Sequence, residues 1–327
     1  MMAETSGAPL LSVVTASLNT ARFLRETLDS VARQTFKDFE HIVVDGGSTD
    51  GTQAILAEYP SIRWISEPDG PLGFTAAIKK AAGMARGKYV MQCCISDGFL
   101  DPRWFGMAVA YLEAHPDCAL VWSFPQLMSQ DGALLGIFNL ELLERPPRDG
   151  TGYLPFWAAS RLVFPEGNYC THAAILRECF PSDRSPAHHH IEPHAGFTFN
   201  FMRRGYLSAV IPQVSSYFRR HGGQRQQELR SIELPAMGRY HKDAVSLWWA
   251  IVCGREPHIF RNPQGIPLGE LSVTQRARLF VDTIVIRLSR LKILRYPPIH
   301  VLRQVVRIVS GKILSKPYDR TDWQRIP

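Results

Sequence analysis

The sequence predicts an α/β fold built on a mostly parallel central sheet flanked by helices, and three observations carry that expectation. Short β-rich runs alternate with helical patterns from residue 10 to about residue 124. The runs are separated by enough chain for a crossover helix, as βαβ units require. Hydrophobic residues make up 45% of the 327 and charged residues 20%, which allows a sizeable core and excludes global disorder.

The elements follow in order. Leu11 to Thr15 reads as a strand, and Arg22 to Gln34 as a helix with Leu24, Leu28 and Val31 on one face. Glu40 to Asp45 is a second strand, followed by a Gly46-Gly47-Ser48-Thr49-Asp50-Gly51 turn and a helix through Tyr59. Ile62 to Ser66 is a third strand, Phe74 to Ala85 a helix and Lys88 to Cys94 a fourth strand. Trp104 to Ala114 is helical, and Cys118 to Phe124 is a fifth strand. Residues 125–225 are less regular. Helical patterning returns over Pro235 to Cys253 and from Gln275 onward, with Pro297-Pro298 dividing the last stretch. The expected organisation is one domain over 8–225 and a helical, basic extension over 226–327.

Charge is unevenly placed. The chain carries a formal +7, while residues 276–327 hold twelve Lys/Arg against three Asp, or +9, so residues 1–275 sum to −2. A nearly neutral body argues against a nucleic-acid partner. No uninterrupted apolar stretch is long enough to span a bilayer, and Met1 to Pro9 has neither the basic nor the apolar region of a secretory signal. Six cysteines are spread without a CxxC pair, which reads as reduced, buried thiols in a cytoplasmic protein.

In parallel sheets, ligands bind beyond the carboxyl ends of the strands, and Asp45 and Asp97 both sit at such ends. Thr15-Ala16-Ser17-Leu18-Asn19 ends the first strand in small residues, so a ligand can approach the backbone closely. Gly46 and Gly47 permit a tight turn after the second. Either segment alone reads better as a common strand–turn–helix.

Together these segments resemble glycosyltransferase family 2, whose members have the GT-A fold. The resemblance runs in order through Val13 to Asn19, Gln34 to Glu40, Val43 to Thr52, Ile65 to Gly70, Ala85 to Val90, Ser96 to Pro102 and Arg219-Arg220-His221. It implies an inverting transfer of sugar from a nucleotide-diphosphate donor to a saccharide or lipid-linked hydroxyl, in glycan biosynthesis. It also implies donor contacts from Thr15, Ala16, Ser17, Asn19, Asp45, Gly47, Asp69, Ser96, Asp97, Arg219 and His221. Leu18 stands where the family often has a stacking aromatic.

The family's Asp-x-Asp turn holds Mg²⁺ or Mn²⁺ against the diphosphate. Here the turn reads Ile95-Ser96-Asp97-Gly98, leaving Asp97 as the expected ligand of a weakly held cation. Asp101, before Pro102, reads as the cap of the next helix. The family's Asp and Asn of the third helix are absent. Lys79 and Lys80 there read as a solvated face, with phosphate contact as the alternative. The general base is expected in Ala187 to His194, where Glu192 is the carboxylate and His194 or His190 are alternatives. If that stretch is extended, His190, Glu192 and His194 share one side. A mobile His-rich loop is an equal reading, and Asp183 a weaker candidate. His172 matches a family acceptor-side position, with a structural histidine at least as good a reading.

The extension has its own pattern. Ala277, Phe280, Ile284, Leu288 and Leu291 form a helical apolar stripe flanked by Arg278, Arg287, Arg290 and Lys292. That suits peripheral attachment to an anionic membrane, on the cytoplasmic face. Two rival readings stay open: a non-catalytic relative that binds nucleotide sugars or acts as a scaffold, and a sugar nucleotidyltransferase. The latter would need a Gly-rich, basic loop after the first strand, and none is present.

Overall fold

A computed structural model describes residues 7–68, 73–137, 167–180, 193–221, 242–277, 279–280 and 283. Its strands are β1 (Leu11–Ser17), β2 (Phe39–Asp45), β3 (Ile62–Ser66), β4 (Tyr89–Gln92), β5 (Gly98–Phe99), β6 (Cys118–Met128), β7 (Leu134–Ile137), β8 (Tyr169–His172), β9 (Leu207–Arg219), β10 (Ile259–Arg261) and β11 (Pro267–Glu270). Its helices are α1 (Ala21–Ala32), α2 (Thr52–Ala57), α3 (Gly73–Met84), α4 (Trp104–Ala114), α5 (Ala173–Cys179), α6 (Pro193–Arg203) and α7 (residues 242–252). Helical residues resume at 273–277, 279–280 and 283.

Among the described residues the main sheet has nine strands, ordered β3-β2-β1-β4-β8-β6-β9-β5, with β7 added on β6. The β3-β2-β1-β4 half is parallel throughout. Beyond it the sheet is mixed, because β8 runs antiparallel to both β4 and β6, and β5 runs antiparallel to β9. The βαβ rule therefore describes the first half. The later strands arise where the chain no longer alternates strand and helix.

Every residue of β1 is buried, because helices cover both faces of the sheet. On one face Val14, Ala16, Ile42, Val44 and Val90 meet Ala77, Ile78 and Ala81 of α3. On the other, Leu11, Val13 and Met91 meet Val31 of α1 and Phe105, Ala108 and Leu112 of α4, while Val43 packs with Leu24, Leu28 and Leu56. Ala244, Trp248 and Ile251 of α7, with Phe260, Leu271 and Leu279, join the α3-side core. The helical extension thus shares a core with the sheet. The β10–β11 hairpin, unforeseen in the sequence, is docked at Gly205. There φ is +78° and a Cβ would overlap the Ile259 carbonyl oxygen.

Several sequence expectations meet the structure directly. Asp101 Oδ1 accepts the Arg103 N–H at 2.9 Å just ahead of α4, whose N-cap residue is Arg103 with no side-chain cap bond. Lys80 forms an ion pair with Glu67 on the surface. Cys93, Cys118, Cys170 and Cys179 are buried, but Cys253 is exposed, so buried thiols describe only part of the set. No helix among the described residues is long and apolar enough to cross a membrane.

Candidate active site at the carboxyl edge of the sheet

In register, Ser17 at the end of β1 stands opposite Asp45 at the end of β2, and Asp45 opposite Ser66 at the end of β3. The loops that follow are cross-bonded. The Asn19 N–H donates to Ser48 Oγ at 2.8 Å, and Asn19 Oδ1 accepts the Thr49 N–H at 2.9 Å. The Gly46 N–H donates to the Ser17 carbonyl at 2.7 Å. Asp50 Oδ2 accepts the Ala21 N–H at 3.0 Å, so the second loop supplies the missing cap of α1. Asn19 holds φ of +51°, a left-handed conformation that its two bonds to the neighbouring loop help fix.

Asp45 is fully buried. Its Oδ2 accepts the Ser48 N–H at 2.9 Å, the Gly47 N–H at 3.2 Å, Ser66 Oγ at 2.8 Å and Gln53 Nε2 at 3.3 Å, and its Oδ1 accepts Ser48 Oγ. A carboxylate offers about four lone-pair sites. Five donors therefore occupy Asp45, and its immediate work is to shape the 46–51 loop. Thr15 is likewise turned inward, its Oγ1 lying 3.0 Å from His41 Nε2. Burial pushes that imidazole down to about 4. Leu18 is exposed beside this edge.

A second cluster forms around Asp97. Ser96 (φ +84°) and Asp97 are both buried on the turn between β4 and β5. Asp97 Oδ1 accepts the backbone N–H of Arg219 at 2.9 Å, and the Asp97 carbonyl accepts Thr27 Oγ1 at 2.6 Å. The Arg219 guanidinium is only 3% exposed. It donates from Nε to the Ser96 carbonyl at 3.1 Å and from its terminal nitrogens to the Gln130 carbonyl at 3.1 Å and Glu26 Oε1 at 2.5 Å. It also lies 5.1 Å from the Phe23 ring centroid and 5.4 Å from that of Tyr217. Arg219 thus ties α1, the β4–β5 turn, the β6–β7 turn and β9 together. Sequence reasoning missed Glu26 and Thr27, since nothing local in α1 marks them. His221, two residues on, sits with its ring 4.7 Å from Phe23. Burial, then Arg22 and Arg219, lower its pKa.

The donor set bears on a divalent cation. Among the described residues no group of three His, Cys, Asp or Glu converges. At Gly98, next to Asp97, a Cβ would press on Tyr217 Oη at 2.6 Å and Ser30 Oγ at 2.7 Å. Asp97 alone fits Mg²⁺ or Mn²⁺ held chiefly by phosphate and water, the mode in which one or two carboxylates suffice.

The remaining candidates divide. Asp69, Asp183, His190 and Glu192 lie outside the described residues. His194 stands in the first turn of α6, so the extended alternation proposed for His190, Glu192 and His194 does not reach it. His172 lies elsewhere. It pairs in register with Tyr89 at the amino end of β4, the end of that strand opposite Asp97, its ring 4.9 Å from that of Tyr89. Burial, then Lys88, push its pKa down to about 4, and its Nε2 is buried without a hydrogen-bond partner among the described residues.

Comparison with known proteins adds to this geometry. The sequence model described as Glycosyl transferase family 2 matches residues 12–144. A PGL/p-HBAD biosynthesis glycosyltransferase of Mycobacterium bovis is 32% identical over 139 residues, 42% of this chain and 54% of the relative. A Mycobacterium tuberculosis protein of the same description matches equally. The chain thus spans about half the length of the curated relatives it matches. Among solved structures, S. aureus TarS 1-349 superposes with a TM-score of 0.53 at 15% identity, over 86% of this chain and 72% of that one. The mannosyltransferase PcManGT from Pyrobaculum calidifontis, in complex with GDP-Man and Mn2+, gives 0.51 at 17%, over 97% and 84%. These likenesses identify the architecture as GT-A.

Proposed function

We propose, on the match of residues 12–144 to the Glycosyl transferase family 2 model, that the chain transfers a sugar, with inversion, from a nucleotide-diphosphate sugar to a hydroxyl of a saccharide or lipid-linked acceptor in glycan biosynthesis. The observation that carries this reading is the cross-bonded pair of loops after β1 and β2, beside the Ser96–Asp97 turn at the same carboxyl edge. Support also comes from the mycobacterial glycosyltransferase relatives and from TarS 1-349 in complex with UDP-GlcNAc, a fold likeness at TM-score 0.50 and 14% identity.

The nucleoside lies on the main chain of Thr15 to Asn19 and Gly47, with Asp45 holding that loop in shape and Asp69 as a further donor contact. Asp97 and Ser96 face the diphosphate, with His221 nearby. Arg219 acts through Asp97 and Ser96, because its donors are engaged within the protein. A divalent cation bound by Asp97 supplies positive charge to the departing nucleoside diphosphate. The acceptor oxygen attacks the anomeric carbon and the bond from that carbon to the β-phosphate oxygen breaks. The hydroxyl proton passes to a base, assigned to Glu192, with His194 as the alternative. Residues 8–225 form the transferase domain, and the basic extension, 226–327, holds the enzyme on the cytoplasmic face of an anionic membrane.

Release of nucleoside diphosphate from a panel of donors with Mn²⁺ tests the reading. Turnover lost in Asp97→Ala is expected. Binding without turnover on every donor and acceptor supports instead a nucleotide-sugar-binding subunit, a reading favoured by the tight contacts a Cβ would make at Gly98.

A further inference from the structure

The apolar stripe that begins at Ala277 and Phe280 is not the side of its helix that enters the core. The inward positions are Gln275, Leu279 and Thr283, at 3%, 1% and 0% exposure. Val273, Ala277 and Phe280, spaced four and three residues apart, are exposed instead, Val273 at 77% and Phe280 at 38%. Trp249, 44% exposed on α7, brings its ring centroid to 6.0 Å from that of Phe280. The buried Trp248 lies beneath both, 4.8 Å from Trp249 and 6.4 Å from Phe280. Trp249 stands on the exposed side of α7, in line with Lys242, Ser246 and Cys253. Two neighbouring helices therefore present aliphatic and aromatic side chains outward from a well-packed base.

The sequence continues this pattern beyond the described residues. The same spacing brings Ile284, Leu288 and Leu291, and Arg287, Arg290 and Lys292 are interleaved with them. The net charge of +9 carried by residues 276–327 starts in this helix. An outward apolar stripe bordered by Arg and Lys matches an anionic bilayer surface: the aromatic rings enter the headgroup–acyl boundary and the cations meet lipid phosphate.

We propose that Trp249, Val273 and Phe280 form the insertion face of a peripheral membrane anchor whose partner is an anionic phospholipid bilayer. The proposal rests on the membrane reading of the basic extension and adds to it that binding is apolar as well as electrostatic. Binding by charge alone is screened by salt, whereas inserted rings hold at high salt.

The test is co-sedimentation of the full chain with phosphatidylcholine vesicles, with and without phosphatidylglycerol, at low and high salt. Wild type is expected to pellet with the anionic vesicles and to remain partly bound at high salt. Trp249→Ser/Phe280→Ser should lower the partition by about tenfold and remove the salt-resistant part. Its melting temperature should fall, because each ring is more than half buried and packs on Trp248, but its response to nucleotides should stay as in wild type. As a second measurement, brominated lipid should quench wild-type tryptophan fluorescence, and Trp249→Phe should remove most of that quenching. Wild type that binds no vesicle overturns both the anchor and the membrane reading of the extension. Wild type that binds only at low salt, with the double variant binding equally well, overturns the insertion face and leaves electrostatic attachment standing. A concentration-dependent dimer dispersed by Phe280→Ser assigns the face to a second copy and overturns the proposal too.

Discussion

The two carboxylates at the carboxyl edge of the sheet are both buried, yet they are held in opposite ways. Asp45 takes its donors from Gly47, Ser48, Gln53 and Ser66, all within 21 residues of it. Asp97 is held by Arg219, 122 residues away, and the same arginine is anchored on Glu26, 193 residues from it. The first site is a local loop with its own internal wiring. The second is an assembly of four chain segments that exists only once the sheet has closed. Damage at the first should therefore remain local, whereas damage at the second should reach the whole fold.

The largest effect expected from that contrast is at Arg219. Arg219→Ala strips partners from the carbonyls of Ser96 and Gln130 and from Glu26, and should cost about 3 kcal/mol or more of stability in denaturant titration. Arg219→Lys should recover only part, because an ammonium cannot reproduce the fork that reaches three segments. If Arg219→Ala melts like wild type, the clamp is not structural and a direct role at the ligand regains its place.

Asp45→Asn should cost less, about 1–3 kcal/mol, with a weakening of nucleotide binding that is similar for different bases. A variant that loses one base and keeps another would show that Asp45 reads the base directly. Gly98→Ala lies between the two clusters in character. Its methyl would press on Tyr217 and Ser30 and should destabilise by about 1–3 kcal/mol; a neutral result would mean that the turn yields and that a second carboxylate is sterically allowed there.

The last effect expected is a pH dependence. His41, His172 and His258 are all pushed down to about 4 by burial. A neutral folded imidazole and a protonated unfolded one mean that the unfolded chain binds more protons between the two pKa values. Stability should then be complete above pH 6.5 or so and fall as pH drops toward 4, by up to about 1.4 kcal/mol per imidazole per pH unit. Melting temperature at pH 7 and pH 5 reads this directly. His41→Gln, which keeps a bond to Thr15 without titrating, should flatten part of the slope.

The same contrast explains what could be read from sequence. The strands and helices from Leu11 to Phe124 emerge close to their expected bounds, because period and turn chemistry are local signals. The Asp45 loop is legible for the same reason: Gly46, Gly47 and Ser48 announce a turn around a strand-end carboxylate. The Asp97 cluster is only half legible. Its turn is marked by Ser96 and Asp97, but Glu26 and Thr27 look like any residues of an amphipathic helix. His172 reads in sequence as either an acceptor-side or a structural residue. Register places it at the amino end of β4, which only strand pairing reveals. The outward stripe of Val273, Ala277 and Phe280 has the periodicity of a core face, and periodicity cannot say which side of a helix meets the protein.

The central claim is that the edge formed by β1, β2 and the β4–β5 turn grips a nucleoside diphosphate. The most direct measurement is the melting temperature of the full chain against UDP, GDP and their sugars, with and without Mn²⁺. A ligand that binds the folded state raises that temperature by mass action whether or not turnover occurs. A concentration-dependent rise is expected for at least one nucleotide, reduced in Asp97→Asn and in Asp45→Asn. A melting temperature unmoved by every nucleotide and nucleotide sugar at millimolar concentration, with or without the cation, would contradict it.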